Sequence, residues 1–158
     1  MADHKMSHAE GVSRAVRWLR STRRCSVVYA ELSTGAGVIP DAIGWGREGS
    51  GLVEVKVSRQ DYRRDRDKYA HVAGLLPGEL RWYLTPPGLL RPEEVAEGWG
   101  LVEAHPTCVR VVRPAPRREL TTAELRTERH LLRSALRRYD LGVRFDAETG
   151  RFALGPTR

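Results

Sequence analysis

Apolar residues recur along this chain with two different periods. Between Ser7 and Ser21, the residues Val12, Ala15, Val16 and Leu19 fall three or four apart, the spacing that lines one face of an α-helix. Ser7, with Glu10 three residues later, is a capping box that fixes the start of this helix. From Cys25 to Leu32 the period drops to two. Ser26, Val28, Ala30 and Leu32 alternate with Val27, Tyr29 and Glu31, which predicts a strand. The runs Gly35 to Trp45 and Leu52 to Val57 are β-rich, and the glycine-rich stretch Gly46 to Gly51 between them is a turn signal. Ser58 with Asp61 opens a second helix ending near Gly74, and Glu79 to Leu84 reads as a fourth strand. Pro92 to Val95 predicts a single helical turn, and Leu101 to Glu103 with Val109 to Val112 a late hairpin or two edge strands. Thr121 and Glu124 cap a final helix whose expected apolar face is Leu125, Leu132, Ala135, Leu136 and Tyr139. The tail from Asp140 reads as a short hairpin that the pattern does not place.

This order predicts an α/β fold, a mixed sheet flanked by helices with a C-terminal helix. The expected organisation is a disordered N-terminus over 1–6, a core over 7–113, then a linker and helical extension over 114–158 that packs on the core. With 158 residues, 41% of them hydrophobic, one domain can bury a core of its own. No run approaches a membrane span, and no signal-peptide pattern opens the chain, so the expectation is a cytoplasmic protein without a membrane partner. Cys25 and Cys108 lack metal-ligand spacing and read as small core residues. The histidines His4, His8, His71, His105 and His130 are scattered rather than paired, which argues against zinc.

The candidate chemistry lies in the predicted hairpin. Asp41 stands at the end of one strand, and Glu54-Val55-Lys56 lies on the next. Alternate side chains of a strand share a face, so Glu54 and Lys56 project together and the hairpin returns Asp41 beside them. Two carboxylates can hold Mg²⁺ or Mn²⁺, with the Val55 carbonyl as a further oxygen ligand, and the lysine can neutralise a phosphate oxygen. That combination is what hydrolysis of a phosphodiester needs. Only Lys5, Lys56 and Lys68 are lysines among the 27 basic residues. A compact ammonium has thus been kept where arginine is the default cation, and the two are not interchangeable. The plainer reading is a surface hairpin with a cross-strand Glu–Lys pair. Glu31, an acid among β-branched residues at a strand end, is either an edge charge or a further member of the site.

Beyond the hairpin, Ser58, Asp61, Tyr62, Asp65 and Lys68 follow the second helix at helical spacing. Together with Glu31-Leu32, Gly37 before Asp41, Glu54-Val55-Lys56, the strand with Trp82-Tyr83 and the closing strands around Gly100 to Val112, these residues resemble the MmcB-like DNA repair branch of the PD-(D/E)xK nuclease-like superfamily. The resemblance covers about residues 10 to 120 and is densest over 54–69. It implies a restriction-endonuclease-like αβββαβ core and a metal-dependent DNA nuclease. Asp41, Glu54, Lys56 and Glu31 would then be catalytic, and Ser58, Asp61, Asp65 and Lys68 a substrate-binding helical wall.

Charge agrees in direction. A formal charge of +7 suits an anionic partner such as DNA, although an arginine-rich composition can produce it alone. Arg126, Arg129, Arg133 and Arg137 form a stripe on the last helix, either along a phosphate backbone or as a solvated face paired with Glu124 and Glu128. Trp45 is a candidate for stacking on a base. The alternatives to a free-standing nuclease are a non-catalytic nucleic-acid-binding protein that keeps the fold, a nuclease subunit active only in a complex, and a homodimer of either kind. No base-reading motif is present, so sequence-specific recognition is not expected.

Overall fold

The computed structural model describes residues 6–32, 39–138, 143–146 and 151–154, with side chains left out for 68–73, 138 and the last two segments. Its elements run α1 (His8–Ser21), β1 (Cys25–Ala30), β2 (Ala42–Gly46), β3 (Gly49–Val55), α2 (Arg59–Val72), β4 (Leu80–Thr85), β5 (Gly100–Ala104), β6 (Val109–Arg113), α3 (Thr122–Arg138), β7 (Val143–Asp146) and β8 (Arg151–Leu154). The first six give the order αβββαβ. Short 3-10 turns lie at Ala73–Leu75 and Pro92–Glu94. The tail does form a hairpin, β7 antiparallel to β8.

The six-stranded sheet keeps chain order, β1-β2-β3-β4-β5-β6. β1 to β3 form an antiparallel meander, with Gly46 and Gly49 paired across the two-residue turn Arg47-Glu48. β3, β4 and β5 are parallel, and β6 turns back against β5. Parallel neighbours require a crossover, which α2 supplies between β3 and β4. Strands covered on both faces read as near-continuous apolar runs, as β3 and β4 do.

On one face α1 lays Val12, Ala15, Trp18 and Leu19 against Val53, Val55, Trp82 and Leu84. Met6 belongs to this cluster, so the disorder expected for residues 1–6 does not extend to it; residues 1–5 lie outside the described residues. On the other face Tyr62 of α2 meets Leu52, Tyr83, Trp99 and Leu101. Tyr83 stacks on Trp99 at 4.2 Å between ring centres and meets Tyr62 edge-on at 5.0 Å. Beside it, Leu131 and Ala135 of α3 cover Ile43 and Leu32.

The inward face of α3 differs from the expected one. Leu125 and Leu136 are exposed, whereas Glu124, Thr127, Glu128, Leu131 and Ala135 are buried. The solvated pairing of the arginine stripe with Glu124 and Glu128 is therefore ruled out, although Arg126, Arg129, Arg133 and Arg137 are themselves exposed. The reason is local demand for acceptors. Arg81 is buried in β4 and donates to Glu124 at 3.0 Å; Gly78 N–H and Trp45 Nε1 donate to Glu128 at 3.0 and 3.3 Å, and Ser50 Oγ also bonds it. Buried donors need partners, and the helix turns its acids inward to supply them.

Gly100 marks where β5 passes closest to its surroundings. A Cβ there would lie 2.6 Å from the Ala115 nitrogen and 2.8 Å from the Arg113 oxygen, both backbone atoms. Gly100→Ala is expected to destabilise the protein by about 1–3 kcal/mol. A urea titration checks this, and an unchanged midpoint would contradict it.

Candidate functional site

The carboxyl ends of β3, β4 and β5 lie side by side, the position where ligands bind in α/β sheets. β2 runs opposite to β3, so its beginning meets the end of β3. Ala42 pairs with Val53, which brings Asp41 level with Glu54 one step further on. Asp41 is fastened there: its Oδ2 accepts the Val55 N–H at 2.7 Å, and its Oδ1 is 3.4 Å from His8 Nε2. Val55 thus contributes its N–H to the arrangement.

Glu54 and Lys56 project to the α2 side, as strand alternation predicts, and both are buried. Lys56 Nζ lies 3.5 Å from Glu54 Oε2 and is in direct contact with Asp65 Oδ2 from α2. Burial alone would depress the lysine; Glu54, Asp65 and Asp41 outweigh it and hold its pKa above the ordinary value. Lys56 is therefore a fixed cation and not a proton acceptor. Tyr83, level with Glu54 on β4, is unsuited to acid–base work. Burial first, then Tyr62, Glu54 and Asp65, push its hydroxyl far above the tyrosine range. Thr85 follows Leu84, the partner of Val55, and so comes level with Lys56. Its hydroxyl is buried and has no hydrogen-bond partner among the described residues.

Other predicted residues have structural work. Ser58 Oγ accepts the Asp61 N–H at 3.1 Å, and Asp61 Oδ2 accepts the Val57 N–H at 3.4 Å, so this pair caps α2 rather than facing outward as a wall. Asp65, one helical turn on from Asp61, is the wall residue that reaches Lys56. Lys68 lies in α2, and its side chain is outside the described set. Glu31 donates its N–H to the Asp41 carbonyl at 3.1 Å, but it is exposed and adopts φ 48°, which breaks the strand alternation. Trp45, at the far end of β2 from Asp41, bonds Glu128 and is not a stacking platform beside the site. Cys25 is buried as expected, but Cys108 is exposed in the β5–β6 turn. Sequence reasoning passed over His8 and Thr85. His8 follows the Ser7 cap and so sits at the tip of α1, but nothing local signals that this tip meets Asp41.

The α2 end of the site is braced from outside. Arg59 donates two hydrogen bonds to Glu94, at 2.5 and 3.1 Å. These, with the Arg91 N–H, bring Glu94 down to about 2. The carboxylate thus favours the folded state above pH 4.5, the ordinary value, and loses that contribution as pH falls through about 2. Arg59→Gln is expected to move the Glu94 titration midpoint upward, read by NMR of the side-chain carboxyl. A midpoint that stays put would show that Arg59 is not the cause.

The donor set suits a hard divalent ion in part. Mg²⁺ commonly uses one or two carboxylates and keeps several waters. Asp41 and Glu54 are level on neighbouring strands, and the buried Thr85 hydroxyl is at the same end of the sheet. Among the described residues, no three His, Cys, Asp or Glu side chains gather as a metal cage, and no helix is long and apolar enough to cross a membrane.

No family model and no curated protein matches the chain. Among solved structures it is similar to SPO1766, a protein of unknown function from Silicibacter pomeroyi. The two share 22% identity over 84% of this chain and 89% of that one, with a TM-score of 0.63. The likeness is one of fold.

Proposed function

We propose that this chain is a Mg²⁺- or Mn²⁺-dependent deoxyribonuclease of the PD-(D/E)xK type, acting in DNA repair or processing. The observation that carries the reading is the meeting of Asp41, Glu54 and Lys56 at the carboxyl end of β3. Their types and spacing are those that phosphodiester hydrolysis requires. In this reading Asp41 and Glu54, with the Val55 backbone, hold the ion, which when bound supplies Lewis-acid stabilisation of the charge that builds on the phosphate. Lys56, kept protonated, attracts a non-bridging phosphate oxygen once Asp65 yields its contact. Water attacks phosphorus and gives up its proton to solvent, the P–O bond to the leaving sugar breaks, and the leaving oxygen takes a proton from solvent. Thr85 and His8 flank the acids and orient water or phosphate by hydrogen bonding.

The testing experiment is titration of Mg²⁺ and Mn²⁺ by calorimetry, followed by nicking of plasmid and single-stranded DNA. Metal binding with nicking supports the proposal, and no metal binding overturns it. A second reading, a non-catalytic nucleic-acid-binding module, is favoured by the contact that already occupies the Lys56 ammonium. Its signature is DNA retention that is indifferent to divalent metal.

A further inference from the structure

A cleft of about 270 Å³ separates the outer flank of α1 from the turn joining β5 to β6. Arg14, Arg17, Trp18 and Ser21 line one side, and Thr107 and Cys108 the other. We infer that this cleft binds a phosphate group, with the backbone of a nucleic acid as the source that the protein's charge favours. The two flanks are tied together: Arg14 donates to the Pro106 carbonyl at 3.0 Å and also to that of His105, while Glu10 lies 3.5 Å from its Nε. Arg14 is therefore a strut, and the cleft is a built feature rather than a gap between loops.

The remaining lining is rich in donors and contains no carboxylate. Arg17 is exposed and makes no ion pair among the described residues, so its guanidinium keeps its fork of donors for a ligand. Thr107 adds a hydroxyl from the opposite wall. Trp18 is only 3% exposed, yet its Nε1 has no hydrogen-bond partner among the described residues. A buried indole N–H is a donor that ordinarily finds an acceptor. The Arg17 guanidinium and the Thr107 hydroxyl select an anion, while Glu10 is engaged with Arg14. The volume is slightly below the usual range for a small-molecule pocket and suits one phosphate rather than a whole nucleotide. Arg20, one turn beyond Arg17 and also exposed, continues the positive rim along α1.

The inference does not depend on the metal-site reading, and its test uses neither metal nor cleavage. Cys25 is buried and Cys108 exposed, so a thiol reagent reads the cleft of the intact chain. The rate of Cys108 modification is measured in EDTA with duplex DNA, single-stranded DNA or inorganic phosphate, alongside DNA affinity against salt. The expected result is severalfold protection by DNA. Arg17→Gln should lose that protection and reduce the slope of log affinity against log salt by about 1, evenly across sequences. Protection by inorganic phosphate alone would support a phosphate site and overturn its backbone source. No protection by any of the three, or an Arg17→Gln variant with unchanged protection and slope, would overturn the inference. Because the measurement omits metal, a failed nuclease assay leaves this result standing, and the reverse holds equally.

Discussion

Glu54→Gln is expected to lower DNA cleavage by about 10³-fold or more, with the fold intact. The estimate follows from the chemistry: an ion that stabilises developing charge on phosphate contributes several kcal/mol, and each 1.36 kcal/mol is tenfold in rate. The substitution keeps the side-chain volume at a buried position, and Lys56 retains Asp65 as its partner. Asp41→Asn should behave alike, since an amide oxygen can still accept the Val55 N–H that holds residue 41 in place. Circular dichroism and a denaturant midpoint near wild type would separate lost chemistry from lost folding. Calorimetry should show metal binding weakened in both variants. Cleavage within tenfold of wild type by either one would end the assignment of that carboxylate. Activity lost with metal binding intact would move it to a role in positioning substrate.

The largest effect on stability is expected at Glu124. This carboxylate is fully buried, accepts from Arg81 at 3.0 Å and Arg118 at 2.9 Å, and closes the α3 cap by accepting the Thr121 N–H at 2.8 Å. Desolvation opposes its ionisation, but the Thr121 N–H, Arg118 and Arg81 prevail and hold its pKa below the ordinary value. Glu124→Ala leaves the Arg81 guanidinium buried with only the Leu76 and Pro77 carbonyls. Removing one partner of a buried ion pair typically costs about 3–5 kcal/mol. For a domain of this size that lowers the melting temperature by roughly 6–20 °C. Arg81→Met in the same chain should recover much of the loss, because it removes the stranded charge and fills the space with apolar volume. If the double variant were no more stable than Glu124→Ala, the damage would lie in the lost cap and not in the stranded arginine.

The sequence carried different parts of this molecule with different strength. Strand alternation and the capping residues Ser7, Ser58 and Thr121 sufficed for the element order, since these signals are local and each helix begins at or beside its cap. The adjacency of Asp41 to Glu54 was also legible, because a tight hairpin fixes register over a short span. Long-range partnerships were not. Asp65 reaches Lys56 because α2 crosses over the strand it follows, and His8 reaches Asp41 because α1 lies on the opposite face; neither follows from spacing. The face of α3 was misread for a physical reason. Leucines at helical spacing normally face inward, but the sheet surface beneath α3 presents buried donors, and satisfying them outweighs burying Leu125 and Leu136.

Synthesis order gives the parallel pairing of β3 with β4 a further meaning. Every residue of the candidate nuclease centre that carries charge, from His8 to Asp65, leaves the ribosome before the strand that completes it. Lys56 donates its backbone N–H to Leu84 at 2.9 Å, and β3 has its second neighbour only once β4 is in place. A nascent chain that has finished α2 thus holds these residues but lacks the parallel partner of β3. Truncation before β4 would leave β3 paired with β2 alone.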